Sequence, residues 1–242
     1  METEFILLWL EGPLQSWGAD SKFGRRDTLN FPTKSGVLGL LLCALGKSGA
    51  QAELLSKLAR LKQTVVSYSH VLKLKENEMK KADREPLLRD FHMVGSGYND
   101  DNPWESLLIP KTREGKKAVG GGSKMTYRYY LQDAKFAVAL EVPKELTKPF
   151  AEALQSPVYD IYLGRKNCAP TDFVYRGTFE SEISALCHAD EIANEKGNLT
   201  EDFRVVDGEL EDEGDVMTLN DIPIQFGSSK RYRDRRVTVI SK

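Results

Sequence analysis

NFPTKSGVLGLLLCALG, Asn30 to Gly46, changes character halfway along. Its first residues form a turn and offer Thr33, Lys34 and Ser35 in succession; the remainder is a glycine-spaced apolar run. Thr33 or Ser35 suits an N-cap, because a side-chain oxygen there accepts from the unpartnered amides of a first helical turn. The pattern predicts a helix over about 35–45. A lysine beside a hydroxyl at such a start suggests an anion site, since free amides and the helix dipole favour negative charge. A nucleotide-binding P-loop is excluded. G-x-x-x-x-G-K-[ST] needs glycine amides around the phosphates, whereas Phe31, Pro32 and Thr33 precede Lys34, and proline removes one amide. The glycines do not form G-x-G-x-x-G either. Two readings stay open: a capped core helix with a solvent-facing lysine, or a helix start that meets a phosphate. Gly36 and Gly39 would leave room for close backbone approach or tight helix–sheet packing.

Outward from this helix the chain alternates strands and helices. Phe5 to Leu10 (FILLWL) reads as a buried strand ended by Gly12-Pro13, and a long polar loop carrying Lys22, Arg25 and Arg26 follows. A second amphipathic helix spans about 50–61, and TVVSYSHVLKL (Thr64–Leu74) alternates as a strand does. Residues 75–130 are irregular and read as an inserted, protruding β-hairpin with a basic tip around the three-glycine run. KFAVALEV is a strand, KELTKPFAEALQSPV a helix despite Pro149, and YDIYLG (Tyr159–Gly164) a short strand. Without the insertion, the order is that of an α+β, ferredoxin-like or RRM-like βαββαβ core. Residues 1–165 are expected to form this palm, with the thumb inserted at about 75–130, and 166–242 a small, mostly β C-terminal section.

The 242 residues suit one large domain or two small ones. A net charge of -2 argues against a nucleic-acid binder but hides an asymmetry. Residues 1–130 carry 20 Lys+Arg against 15 Asp+Glu, while 131–242 carry 14 against 21. Glu180–Asp221 is strongly acidic, and the last 13 residues hold six basic groups against one acidic. Local fields of this kind matter more for binding than the sum does. Cys43, Cys168 and Cys187 are widely spaced without C-x-x-C, which argues against a disulfide framework or zinc site, and Cys43 suits a core helix. His70 and His188 complete no metal set with Cys187, so neither metal nor cofactor is expected. No apolar run approaches the roughly 20 residues that span a bilayer, and no signal peptide is evident; a cytoplasmic location is expected.

Five motifs together resemble a known family: LEGPLQSWG, FPTKSGVLGLLLCALG, LLRDFHMVG, YRYYLQDAKFAVAL and YLGRKNCAPT. They occur in the order, and with the intervals, of the CRISPR-associated RAMP-superfamily subunits of type I-E Cascade, the CasD-type branch or fifth Cas family, over about residues 5–170. The resemblance implies an RRM-like palm with a projecting thumb. It implies a non-catalytic subunit that caps the 5′ handle of CRISPR RNA beside the repeated backbone subunit and near the large subunit. Target DNA would be met only indirectly, and a membrane not at all. In the related type I-C branch the equivalent subunit cuts the repeat itself with a Tyr/Lys/His set. A metal-independent repeat endoribonuclease that keeps its product is therefore the alternative.

Within that frame the basic residues become RNA contacts to test. Lys22, Arg25 and Arg26 lie on the loop, and Thr33, Lys34 and Ser35 at the helix start, where a phosphate would meet amides and a lysine together. Trp17, after Gln15, either stacks a base or packs beneath the loop. His92, in RDFHMV beside Arg89 and Asp90, is the best acid–base candidate, but no partner is evident in the sequence; the other reading is a hydrogen bond to RNA or within the fold. In GGGSKMTYRYYL, Lys124 precedes an alternation that puts Tyr127 and Tyr129 on one face and Arg128 and Tyr130 on the other. Arg128 is the expected contact. Arg165 and Lys166 follow a glycine and either bind phosphate or form a solvated turn. The run KRYRDRR (Lys230–Arg236) either binds a polyanion or pairs with the acidic Glu209–Asp215 of its own chain.

Overall fold

A computed structural model describes residues 2–18, 24–75, 78–94, 104, 111–116, 118 and 123–242. Its elements run β1 (Thr3–Glu11), β2 (Leu14–Gln15), β3 (Trp17–Gly18), β4 (Arg25–Arg26), β5 (Thr28–Leu29), α1 (Lys34–Ala44), α2 (Ala52–Leu58), β6 (Gln63–Lys75), β7 (Glu78–Lys81), β8 (Leu88–Val94), β9 (Lys124–Gln132), β10 (Lys135–Pro143), α3 (Lys144–Gln155), β11 (Tyr175–Phe179), α4 (Glu182–Lys196), β12 (Leu199–Asp207), β13 (Asp215–Gln225) and β14 (Arg231–Ser241).

Four strands make the palm in the order β11-β1-β10-β6, each antiparallel to its neighbour. With α1 and α2 crossing between β1 and β6, and α3 between β10 and β11, this is the ferredoxin-like βαββαβ arrangement. The fourth strand is a correction to the sequence reading. Tyr159–Gly164 is irregular chain, and the sheet edge is taken by Tyr175–Phe179 instead. The 159–164 backbone is held elsewhere: Leu163 donates to Cys168 O at 2.7 Å, and Ser16 N donates to Leu163 O at 3.1 Å. Beyond β6 the same sheet continues through β12, β14 and β13, so the C-terminal strands extend the palm edge to edge.

β1 is apolar on both faces because both are covered. Ile6, Leu8 and Leu10 pack with α1 and α3, including Leu38, Leu41 and Phe150. Leu7 and Trp9 point the other way and meet α4, a helix absent from the expectation of a mostly β C-terminal section. Its buried stripe is largely alanine (Ala185, Ala189, Ala193), too weakly hydrophobic to announce a helix yet small enough to sit close over Ala137 and Ala139 of β10. Ser181 caps it by accepting from Ser184 N at 3.2 Å, and Gly197 ends it at φ 72°. Asp190 accepts a 2.8 Å bond from the Tyr68 hydroxyl of β6, which with burial pushes that phenol well above its ordinary pKa. Part of the acidic segment is thus a helix roofing the sheet. The face that an RRM leaves open for stacked bases is closed here over β1, β10 and the start of β6.

The inserted segment leaves the palm as two ribbons. β7 pairs with the outer part of β6, while β9 pairs with β8, with β2 and, in parallel, with β4. Arg84, on the link between β7 and β8, ties them down. Its guanidinium lies 4.5 Å from the Phe203 ring centroid, donates to Asp202 at 3.0 Å and to Asn30 O at 3.0 Å, and bonds Ser67 Oγ. The three-glycine tip and Lys22 lie outside the described residues.

Candidate functional site

At the start of α1 the hydroxyl cap is as expected: Gly36 N donates to Thr33 Oγ1 at 3.1 Å. The lysine is not. Lys34 is only 2% exposed and its ammonium points inward, to Leu61 O and to Asp207 Oδ2 at 3.5 Å. Burial pushes its pKa below the ordinary lysine value, against the pull of Asp207. The backbone amide of Lys34 donates to Asp221 Oδ2 at 2.7 Å, so a carboxylate of the chain already occupies the place expected for a phosphate. Arg235 completes the network with bonds of 2.7 and 2.8 Å to Asp221, and with one to Asp207. Burial opposes its charge, yet these carboxylates hold its pKa above the ordinary value. Thr33 is buried as well, and Ser35 alone of the three is part-exposed. Both sequence readings of Lys34 are therefore corrected: it is neither solvent-facing nor placed to meet RNA. An alternating helix pattern cannot reveal this, because the two aspartates come from strands some 170 to 190 residues away.

The remaining basic residues divide between the two faces of β9. Register pairs Arg128 with Asp90 of β8 and with Arg26 of β4, and pairs Tyr127 with Phe91 and Arg25. On the outer face Arg25 is neutralised by two 2.8 Å bonds to Asp27 and stacks 4.8 Å from the Tyr129 ring centroid. Tyr127 and Phe91, 5.5 Å apart, lie beside it, exposed, with Arg89 over Tyr127. On the inner face Tyr130 is buried at the base and Lys124 stands further out, part-exposed.

The inner face and the 162–167 turn enclose a cleft of about 480 Å³, lined by Asp90, His92, Arg128, Tyr130, Tyr162 and Gly164 with Arg165, Lys166 and Asn167. Four of the expected residues, His92, Arg128, Arg165 and Lys166, meet here. Arg165 braces the wall: it donates to Arg26 O at 2.8 Å and Tyr129 O at 3.3 Å, and stacks 4.8 Å from the Tyr130 centroid. Its charge is directed at carbonyls, so it positions the turn. Lys166 is exposed and Arg128 part-exposed, and among the described residues neither has an ion-pair partner. His92 Nδ1 lies 3.7 Å from Asp90 Oδ2, a partner that the alternation of β8 could have suggested.

Gly164 is the hinge of this wall. Its φ is +91°, and a Cβ there would fall 1.8 Å from Ser16 O. Two of the quoted motifs, LQSWG and YLGRKN, thus meet backbone to backbone. Gln15 and Trp17 are buried, with Trp17 Nε1 donating to Gln15 Oε1 at 3.0 Å and the indole against Gly36 of α1, so Trp17 packs in the core. In the basic C-terminal run two residues turn toward their own chain: Arg236 pairs with Glu209 of the acidic segment, and Arg235 with Asp207 and Asp221 outside it. Among the described residues no helix is long and apolar enough to cross a membrane.

A family model described as CRISPR-associated protein (Cas_Cas5) matches residues 5–238. The CRISPR system Cascade subunit CasD of Escherichia coli (strain K12) is 32% identical over 180 residues, 73% of this chain and 72% of that protein. A chain in a solved CRISPR RNA-guided surveillance complex superposes with a TM-score of 0.68 at 28% identity, covering 98% of this chain and 90% of its own. Another solved structure, described as a Cas protein, gives 0.53 at 26% identity, covering 98% and 95%. The match along almost the whole chain, including the C-terminal strands where the motifs fade, means that the protein belongs to the CRISPR-associated Cas5 family.

Proposed function

We propose that this protein is a non-catalytic, cytoplasmic subunit of a type I-E Cascade surveillance complex that holds the 5′ handle of CRISPR RNA in the cleft between β9 and the 162–167 turn. The observation carrying this reading is the convergence of Arg128 and Lys166 on one cleft, both free of carboxylate partners among the described residues. Single-stranded RNA is held through phosphates, stacked bases and 2′-hydroxyls, and the cleft supplies two cations, the part-exposed Tyr162 ring and the Asn167 side chain for those roles. Arg165 keeps the wall in place, and the exposed aromatic face of β8 and β9 remains for the backbone subunit. The large subunit would contact the assembled cap, and target DNA would reach it only through that complex.

The test is binding of an RNA bearing the repeat-derived handle, beside a scrambled RNA of equal length, with the backbone subunit present. The handle should bind more tightly, with marked salt dependence; equal affinities would remove handle capping. A second reading rests on His92 beside Asp90, since a histidine oriented by a carboxylate opposite a lysine suits acid–base cleavage at a 2′-hydroxyl. Cleavage of repeat RNA in EDTA that disappears in His92→Ala would establish it; intact RNA supports the non-catalytic reading.

A further inference from the structure

The three glycines of the α1 motif stand on different footings. A Cβ on Gly36 would strike the Trp17 ring at 2.8 Å, and Gly46 needs its φ of +68° at the helix end. Gly39 is different: its φ is ordinary, and an added Cβ would meet nothing within 4 Å. A glycine inside a helix costs about 1 kcal/mol relative to alanine, and here neither packing nor backbone conformation requires it. Gly18 likewise faces open space. Both line the same groove, about 410 Å³, whose far wall is the β13–β14 turn with Phe226, Lys230 and Tyr232.

That groove shares Tyr162 and Gly164 with the thumb cleft, so the two lie next to each other along the 162–167 turn. Lys230 at the rim is exposed and has no ion-pair partner among the described residues, unlike Arg235 and Arg236 further along the strand. Tyr232 is part-buried, its ring steeply inclined to that of Phe226 with centroids 6.4 Å apart, so the groove has aromatic side chains and side-chain-free glycines in one lining. A flat base fits between an aromatic wall and a floor without side chains, and a lysine at the rim meets its phosphate.

We propose that this groove is a second RNA subsite, which takes one nucleotide of the same single strand after it leaves the thumb cleft, with the base on the Gly39 floor against Tyr232 and the phosphate at Lys230. The proposal rests on the handle-binding reading above. It gives the C-terminal hairpin a direct part in RNA binding.

Gly39→Leu adds bulk to the floor through a Cβ that meets nothing within 4 Å, and it favours the helix. With the backbone subunit and the repeat-derived handle RNA, it should weaken binding roughly tenfold at a melting temperature no lower than the parent's. Lys230→Glu, on the rim, should weaken binding and lower the salt slope. A 4-thiouridine moved through the handle should crosslink to the peptide holding Tyr232 at one position. Parent-like binding by both variants, or no such crosslink at any position, overturns the groove. If Arg128→Glu/Lys166→Glu still loses binding in that case, the thumb-cleft reading stands; if that variant binds normally too, both fall.

Discussion

Lys34 and Lys166 look alike in the sequence: each lies in a short polar motif beside a glycine, at the edge of an apolar segment. In the fold they are opposites. Lys34 is buried, and carboxylates from β12 and β13 surround its ammonium and its backbone amide. Lys166 stands exposed on a turn whose neighbour, Arg165, spends its own hydrogen bonds on holding that turn in place. The lysine that is structurally satisfied fastens the C-terminal strands to the first helix. The other, without an ion-pair partner among the described residues, is the one proposed to meet RNA. A cation's commitments, more than its local motif, separate scaffold from site.

The largest expected effect breaks the scaffold side. Asp221→Ala takes the acceptor from the Lys34 amide and leaves Arg235 with Asp207 alone, and removing one partner of a buried pair costs up to about 3–5 kcal/mol. Urea unfolding should show the midpoint falling with little change in slope. Gly164→Ala comes next: at φ +91° and with Ser16 O in the way, it should cost at least about 2 kcal/mol, and it should also weaken RNA binding, because the turn carries the cleft wall. Lys166→Glu reverses the pattern. Its stability should stay within about 0.5 kcal/mol of the parent's, while handle affinity falls roughly tenfold and the salt slope decreases by about one.

The smallest effect sharpens the account of Lys34. Its folded-state pKa is lowered by burial, so the unfolded chain holds the proton more tightly and the charged lysine opposes folding. That opposition is full below the folded-state pKa and disappears as pH rises through it to the ordinary lysine value. Measured against Lys34→Met, the parent should therefore gain stability on going from neutral to alkaline pH. A flat difference would mean that Asp207 compensates fully.

Much of this was legible in the sequence. The start of α1, its Thr33 cap and the strands β1, β6 and β10 follow from apolar periodicity and capping chemistry, which are local. The failures are non-local. α4 hides behind an alanine stripe that makes sense only against Ala137 and Ala139. The fourth palm strand is non-local too: Tyr159–Gly164 reads locally as a short strand, but Gly164 must turn at Ser16, which only the fold reveals. The basic residues were found as a set, but their division into faces required the register of β8, β9 and β4, and the burial of Lys34 required strands from the far end of the chain.

The central claim is that RNA is held at the thumb cleft and not by the lysine at the start of the first helix. The most direct measurement is fluorescence anisotropy of the repeat-derived handle RNA, with the backbone subunit present, for the parent, Lys34→Met and Arg128→Glu/Lys166→Glu, each confirmed folded by its melting transition. Binding at parental strength by Lys34→Met and a severe loss in the double variant is the predicted result. A severe loss in Lys34→Met, with the double variant binding normally, would contradict it.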